Sequence, residues 1–203
     1  MSCADGDLDS LTLEEIRQRL RNQAQTTQDV PFDWGDEDCK QAGVLIPFVR
    51  EAGRWQILFI RRSDHEDDHH SGQVAFAGGK FESGDEDLKQ TALREAHEEI
   101  GLNPQHVDIL GRLNYHYSIT RFKILPVVGH VRHWPYDFMP DPGEVARVFR
   151  IPLSWLADRS NYRIEQRQTV GKSIPVLYYD EYDGEVLWGA TARMMQSLIA
   201  LLE

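Results

Sequence analysis

The chain has 203 residues, enough for one domain with a sizeable core and some extensions. Lys and Arg number 22 against 33 Asp and Glu, a formal charge of −11, which excludes a general affinity for nucleic acid or anionic membranes. A phosphorylated small molecule as substrate then requires a local basic patch or a metal ion to mask the repulsion. No apolar run approaches the roughly 20 residues that span a bilayer. Cys3 and Cys39 lack metal-ligand spacing and read as reduced thiols, and the acidic start MSCADGDLDS has the wrong chemistry for a signal or transit peptide. Together these point to a cytoplasmic protein.

Thr12-x-x-Glu15 has the form of a capping box, and Leu13, Ile16 and Leu20 follow at helical spacing, which predicts a short helix over 12–23. A polar linker with Pro31 and Gly35 follows, in which Phe32 and Trp34 are expected to pack on the main body. This divides the chain into an N-terminal extension, residues 1–35, and a domain of residues 36–203. GVLIPFV at 43–49 and WQILFIRR at 55–62 read as a hairpin across the EAGR turn at 51–54. A polar loop, SDHEDDHHSGQ, leads to the apolar VAFAGG and a glycine turn. A helix is predicted over 86–100, with Asp85 as N-cap, and Glu86 and Asp87 at the positive end of its dipole. Leu88, Ala92, Leu93, Ala96 and Ile100 cover its buried side, and Gly101 with Pro104 ends it.

Strands are predicted over 107–118 and 122–131, then a loop marked by Pro135, Pro140, Pro142 and Gly143. The pattern at 144–149 suits a strand or a helical turn equally. PLSWL at 152–156 suggests a short helix, and 174–179 and 186–188 read as strands joined at Asp183-Gly184. Met194, Met195, Leu198, Leu201 and Leu202 predict a last helix over 191–202. Strands outnumber helices, so the expected fold is α+β, an α/β/α sandwich with helices flanking a mixed sheet.

Glu95, Glu98 and Glu99 stand at i, i+3 and i+4, one helical face, with only Arg94 close by in sequence. Carboxylates crowded in this way repel one another, and a bound divalent cation is the usual remedy.

REAHEEIGL, residues 94–102, resembles the second half of the Nudix box, G-x5-E-x7-R-E-U-x-E-E-x-G-U with U apolar, at every specified position. Counting back from Arg94, Glu86 falls at the first glutamate of the box, with Asp85 as an alternative for the acidic role; Gly79 lies one residue early, with Lys80 at the glycine position. LFIRRS at 58–63, HSGQVAFAGGK at 70–80, LPVVGHV, PDPGEVARVFRIPLSWL and LWGATARMM extend the likeness, over about residues 40–200, to the coenzyme A pyrophosphatase-like branch of Nudix hydrolases. Asp68 stands where that branch often has Arg, Ala77 where Pro is usual, and Arg121 where a small residue is expected.

The resemblance implies Mg²⁺- or Mn²⁺-dependent hydrolysis of a diphosphate bond in coenzyme A or a derivative, giving adenosine 3′,5′-bisphosphate and a phosphopantetheine product. ADP-ribose, NADH, nucleotide sugars and dinucleoside polyphosphates are alternative substrates, and a non-catalytic nucleotide-binding domain is a third reading. Glu95, Glu98 and Glu99 would hold the metal, with the Gly79 carbonyl as a further ligand. Glu98 has the alternative of positioning water, and Arg94 orients a carboxylate. Glu144, in PDPGEV, is the candidate general base, with an ordinary loop residue as the alternative. Arg61, Arg62 and Lys80 are candidate phosphate contacts. His70 matches the branch signature, while His65 and His69 fit a solvated loop. Trp34, Trp55 and Trp155 fit the core better than a base-stacking platform. The oligomeric state stays open, a homodimer included.

Overall fold

The computed structural model describes residues 7–22, 39–64, 71–169 and 172–203. Phe32, Trp34, Cys3, His65, Asp68, His69 and His70 lie outside these residues.

The capping box forms as expected: Thr12 caps helix α1 (Leu13–Arg21), with its hydroxyl on the Glu15 N–H and the Glu15 carboxylate on the Thr12 N–H. Strands β1 (Lys40–Glu51) and β2 (Arg54–Arg62) are longer than their apolar runs suggest. The hairpin turn closes over only Ala52 and Gly53, both at positive φ, so residues 51 and 54 belong to the strands.

Both strands read as nearly continuous apolar runs because both faces are covered. Ile46, Phe48, Trp55, Ile57 and Phe59 enter one core, with α1 and the last helix, α4 (Gly189–Leu202). Leu45, Val49, Leu58 and Ile60 enter the other, beneath α2 (Leu88–Ile100). Helices thus lie on opposite faces of a mixed sheet, the α/β/α sandwich expected.

β1 and β2 diverge beyond the Phe48–Ile57 pair, and the chain at 74–80 fills the wedge. Within it, β3 (Val74–Ala75) pairs with Arg61 and Ile60 of β2, and β4 (Gly78–Lys80) pairs with Val44 to Ala42 of β1. The other edge of β1 runs parallel to β7 (Phe122–Val131), which in turn pairs with β5 (Val107–Arg112) and β6 (His116–Tyr117). The single strand expected over 107–118 is therefore two, with a break at 113–115 where Leu113 turns into the core. Of residues 144–149, ambiguous in sequence, 145–149 belong to β8 (Val145–Pro152), paired antiparallel with β2, and Glu144 ends the turn before it.

After the short helix α3 (Leu153–Ala157), the chain builds a separate three-stranded sheet of β9 (Tyr162–Thr169), β10 (Lys172–Tyr182) and β11 (Glu185–Trp188). The turn at Asp183-Gly184 is as expected. Strand β9 was not: YRIEQRQT is polar and its residues from Arg163 to Gln168 are exposed, so no apolar pattern marks it. Trp55 is buried, with its indole N–H on the Leu11 carbonyl at 2.8 Å, and Trp155 stacks on Tyr179, so both tryptophans belong to the core.

Candidate active site

The site lies at the fork between β1 and β2, under one face of α2. The helix starts later than the sequence suggests. Asp87, not Asp85, is its N-cap, accepting from the N–H groups of Lys89 and Gln90 at 2.9 Å. Asp85 has other partners. Its carboxylate accepts from Arg94 Nε at 2.9 Å and Nη2 at 3.1 Å, from the Thr91 hydroxyl at 2.8 Å and from the Glu82 N–H at 3.0 Å. The paired Arg94 hydrogen bonds, more than any other group, hold the Asp85 carboxyl well below the usual carboxylate range. Of the two candidates for the acidic role, Asp85 takes the arginine, and Glu86 points its backbone N–H to Gln90 from an exposed position.

Arg94 is the hub. Besides Asp85 it donates to the Lys80 carbonyl at 3.0 Å, and its Nη1 lies 3.0 Å from Glu95 and 2.9 Å from Glu98. It thereby orients two of the three expected carboxylates and ties the glycine turn to the helix. Gly79 lies directly against Glu95: a Cβ placed there would stand 2.5 Å from the Glu95 Cδ. Gly43, its partner on β1, has the same relation to the helix backbone, since a Cβ would collide with the Leu88 carbonyl and lie 3.0 Å from the Ala92 nitrogen. Glycine at both positions is what lets sheet and helix approach so closely.

Glu99 is the most enclosed carboxylate, with 2% of its surface exposed. It accepts the Gly78 N–H at 2.9 Å and faces Arg62 at 4.0 Å. Burial, with the charges of Glu95 and Glu144 added, pushes its carboxyl up to about 8. Glu95 is shifted in the same direction, by burial first and then by Glu98 and Glu144, against the pull of Arg94. Glu144 comes from a loop pinned to the end of α2, where the Asp141 N–H meets the Glu99 carbonyl at 2.9 Å and the Glu144 carbonyl takes the Ser63 N–H at 2.9 Å. Glu95, Glu99 and Glu144 therefore share one electrostatic environment although they lie far apart in sequence.

Among the described residues, no three carboxylate, imidazole or thiol groups stand close enough to enclose a metal ion. Arg94 draws Glu95 and Glu98 toward itself. The donor chemistry nonetheless fits a hard divalent cation: carboxylate oxygens only, one of them almost fully desolvated and repelled by its neighbours. Of the expected phosphate contacts, Arg62 faces Glu99, Arg61 pairs with Asp64 at 3.2 Å, and Lys80 is exposed just past Gly79. Thr91 and Gly43 carry no motif signal. Thr91 could have been found as the helix residue one turn before Arg94 on the same face.

The NUDIX domain matches residues 40–170 of this chain. Relatives include Nudix hydrolase 15, mitochondrial, of Arabidopsis thaliana, 37% identical over 161 residues, covering 77% of this chain and 56% of that protein. The uncharacterized Nudix hydrolase NudL of Enterobacter sp. (strain 638) is 39% identical over 161 residues, covering 78% of this chain and 81% of its own length. The chain thus spans little more than half of the plant relative. A MutT/nudix family protein from Enterococcus faecalis shares the fold, with a TM-score of 0.52 at 13% identity, covering 92% of this chain and 73% of that one. The chain belongs to the Nudix hydrolase family. No helix among its described residues is long and apolar enough to cross a membrane.

Proposed function

We propose that the chain hydrolyses a diphosphate bond in coenzyme A or a coenzyme A derivative, releasing adenosine 3′,5′-bisphosphate and a phosphopantetheine product. The observation that carries the reading is the environment of Glu99: a carboxylate almost without solvent, in the field of Glu95 and Glu144, accepting the Gly78 N–H of the glycine turn. Such a site gains from a cation and from the polyphosphate that a cation brings. Mg²⁺ or Mn²⁺ held by Glu95, Glu98 and Glu99, with the Gly79 carbonyl, would neutralise phosphate charge and activate water.

The chain's own residues supply the rest. Arg94 holds Glu95 and Glu98 in place from a fixed anchor on Asp85. Glu144 takes the proton of the attacking water, whose oxygen adds to one phosphorus while the bridging oxygen leaves with the other phosphate. Arg62 and Lys80 meet the phosphate charge, and His70, in the block HSGQVAFAGGK, contributes to recognising the substrate.

The choice of coenzyme A rests on that sequence block. The acidic run SDHEDDHH favours a second reading, because Asp64, Glu66, Asp67 and Asp68 repel a substrate with an extra 3′-phosphate. On that reading the substrate is ADP-ribose, NADH, a nucleotide sugar or a dinucleoside polyphosphate, cleaved by the same groups. A substrate panel with Mg²⁺ or Mn²⁺, with products identified by mass, tests both. Cleavage of coenzyme A without turnover of nucleotide sugars supports the first. Turnover of the others alone selects the second, and no turnover of any overturns the enzymatic reading.

A further inference from the structure

Past Gly79, at the other end of the β4–β1 pair, the chain forms a recess of about 300 Å³ lined by Lys40, Gln41, Lys80 and Phe81. Its walls are held by the backbone. The Phe81 N–H meets the Gln41 carbonyl at 3.0 Å, the Lys40 N–H meets the Arg121 carbonyl at 2.9 Å, and Lys80 lies opposite Ala42. The Lys80 carbonyl is also the one that Arg94 grips at 3.0 Å, so the recess and the carboxylate site share a rigid wall.

The side chains lining it are unusual for this molecule. The chain carries a charge of −11, and the ion pairs among its described residues are made by arginines. Lys40 and Lys80 have no carboxylate partner there, and both are exposed. Beside them Phe81 leaves 41% of its surface to solvent, one of a few large apolar side chains among the described residues to do so. Two ammonium groups with no carboxylate partner among the described residues, beside an exposed ring, suit a ligand that is both anionic and aromatic. The recess is at the small end of ligand pockets, which start at about 300 Å³, a size that suits one nucleoside phosphate.

The geometry points to this recess as the subsite for the phosphorylated nucleoside end of the substrate, with the base on Phe81 and its outlying phosphate between Lys40 and Lys80. The inference rests on the diphosphatase reading above and extends it beyond the HSGQVAFAGGK block, which contributes only Lys80, to Lys40, Gln41 and Phe81. It also meets the need, set by the net charge, for a local basic patch.

The test is direct binding of adenosine 3′,5′-bisphosphate and of adenosine 5′-monophosphate to the full chain by calorimetry, with KM measured for whichever substrate the panel identifies. Phe81→Ala is expected to weaken binding of both probes by about tenfold, the scale of a lost base–aromatic stack. Lys40→Glu is expected to weaken the bisphosphate more than the monophosphate and to raise KM, most at low ionic strength. Lys89→Glu, an exposed lysine on α2 outside the recess, controls for general charge and is expected to leave binding unchanged. Equal binding by wild type, Phe81→Ala and Lys40→Glu overturns the subsite. So does equal weakening by Lys89→Glu. The probes are products or fragments and need no turnover, so a protein that binds them through Phe81 but cleaves nothing refutes the enzymatic reading and leaves the subsite standing.

Discussion

Asp85 and Arg94 face each other through paired hydrogen bonds, Nε to Oδ1 at 2.9 Å and Nη2 to Oδ2 at 3.1 Å, with the Asp85 side chain 2% and the Arg94 side chain 22% exposed. The pair closes the glycine turn onto the helix. Because the same guanidinium also holds Glu95, Glu98 and the Lys80 carbonyl, the position of three functional groups depends on one carboxylate that touches none of them.

Asp85→Ala leaves Arg94 without its anchor. Breaking a pair with one side so enclosed is expected to cost about 3–5 kcal/mol by chemical denaturation. Asp85→Asn keeps the shape and the Thr91 contact but not the charge. In that variant activity is expected to fall about 10–100-fold, the scale seen when groups supporting metal ligands are removed, with most of the stability retained. Full activity in Asp85→Asn would show that Arg94 needs no fixed anchor.

The two close glycines separate stability from function. Gly43→Ala sets a methyl against the Leu88 carbonyl, and backbone cannot yield easily, so a loss of about 1–3 kcal/mol is expected in urea melts. Gly79→Ala meets only the end of the Glu95 side chain, which can swing away. Its stability is expected to stay within about 0.5 kcal/mol of wild type while turnover drops sharply. The reverse order in the two variants would contradict the placement of Glu95 against the turn.

Glu99→Gln preserves an acceptor for the Gly78 N–H and removes the charge. Turnover is expected to fall by about 10² or more, with a fold that circular dichroism cannot distinguish from wild type. Glu98→Gln, on a half-exposed side chain, is expected to lose activity as well. Wild-type rates in both variants would sink the assignment of this face as the metal site.

Glu144→Gln tests the proton acceptor. If Glu144 takes the proton from water, the acidic limb of its kcat/KM profile disappears together with most of the rate. A profile of unchanged shape rules the residue out.

His116, on β6, gives the protein an acid-sensitive core. Burial, with Arg193 nearby, pushes its imidazole down to about 4, against an unperturbed value of 6.5. Between these two values the unfolded chain binds the proton and the folded chain does not, so stability rises with pH through this window and is lost as pH falls below 6.5. The contribution amounts to about 3 kcal/mol between neutral pH and pH 4. His116→Gln is expected to remove this contribution, so that the wild-type urea midpoint rises relative to that of the variant across this range, whatever slope the oppositely shifted Glu99 adds to both. A slope as steep as wild type would assign the acid sensitivity elsewhere.

Much of this architecture was legible one residue at a time. Long apolar runs marked β1 and β2, a capping box marked the start of α1, Gly101 marked the end of α2 though its N-cap was placed two residues early, and the spacing of Glu95, Glu98 and Glu99 announced their shared face. These are local properties: helix periodicity and capping depend on residues within a turn of each other. Strand β9 gave no signal, since an exposed polar strand has no buried face to imprint on its sequence. The break between β5 and β6 was hidden for the opposite reason, because the apolar Leu113 and Tyr115 continue the run through it.

The motif count could not choose between Asp85 and Glu86, because a turn with one extra residue has no fixed register. Only the folded turn decided it, by aiming Asp85 at Arg94 and leaving Glu86 exposed. In the same way the chain by itself determined its family, its layer order and the acidic face of one helix. The tertiary structure decided which carboxylate is desolvated, which arginine neutralises which glutamate, and that Glu144 shares their field. Those outcomes depend on burial and on distances between segments far apart in sequence, and no local pattern encodes either.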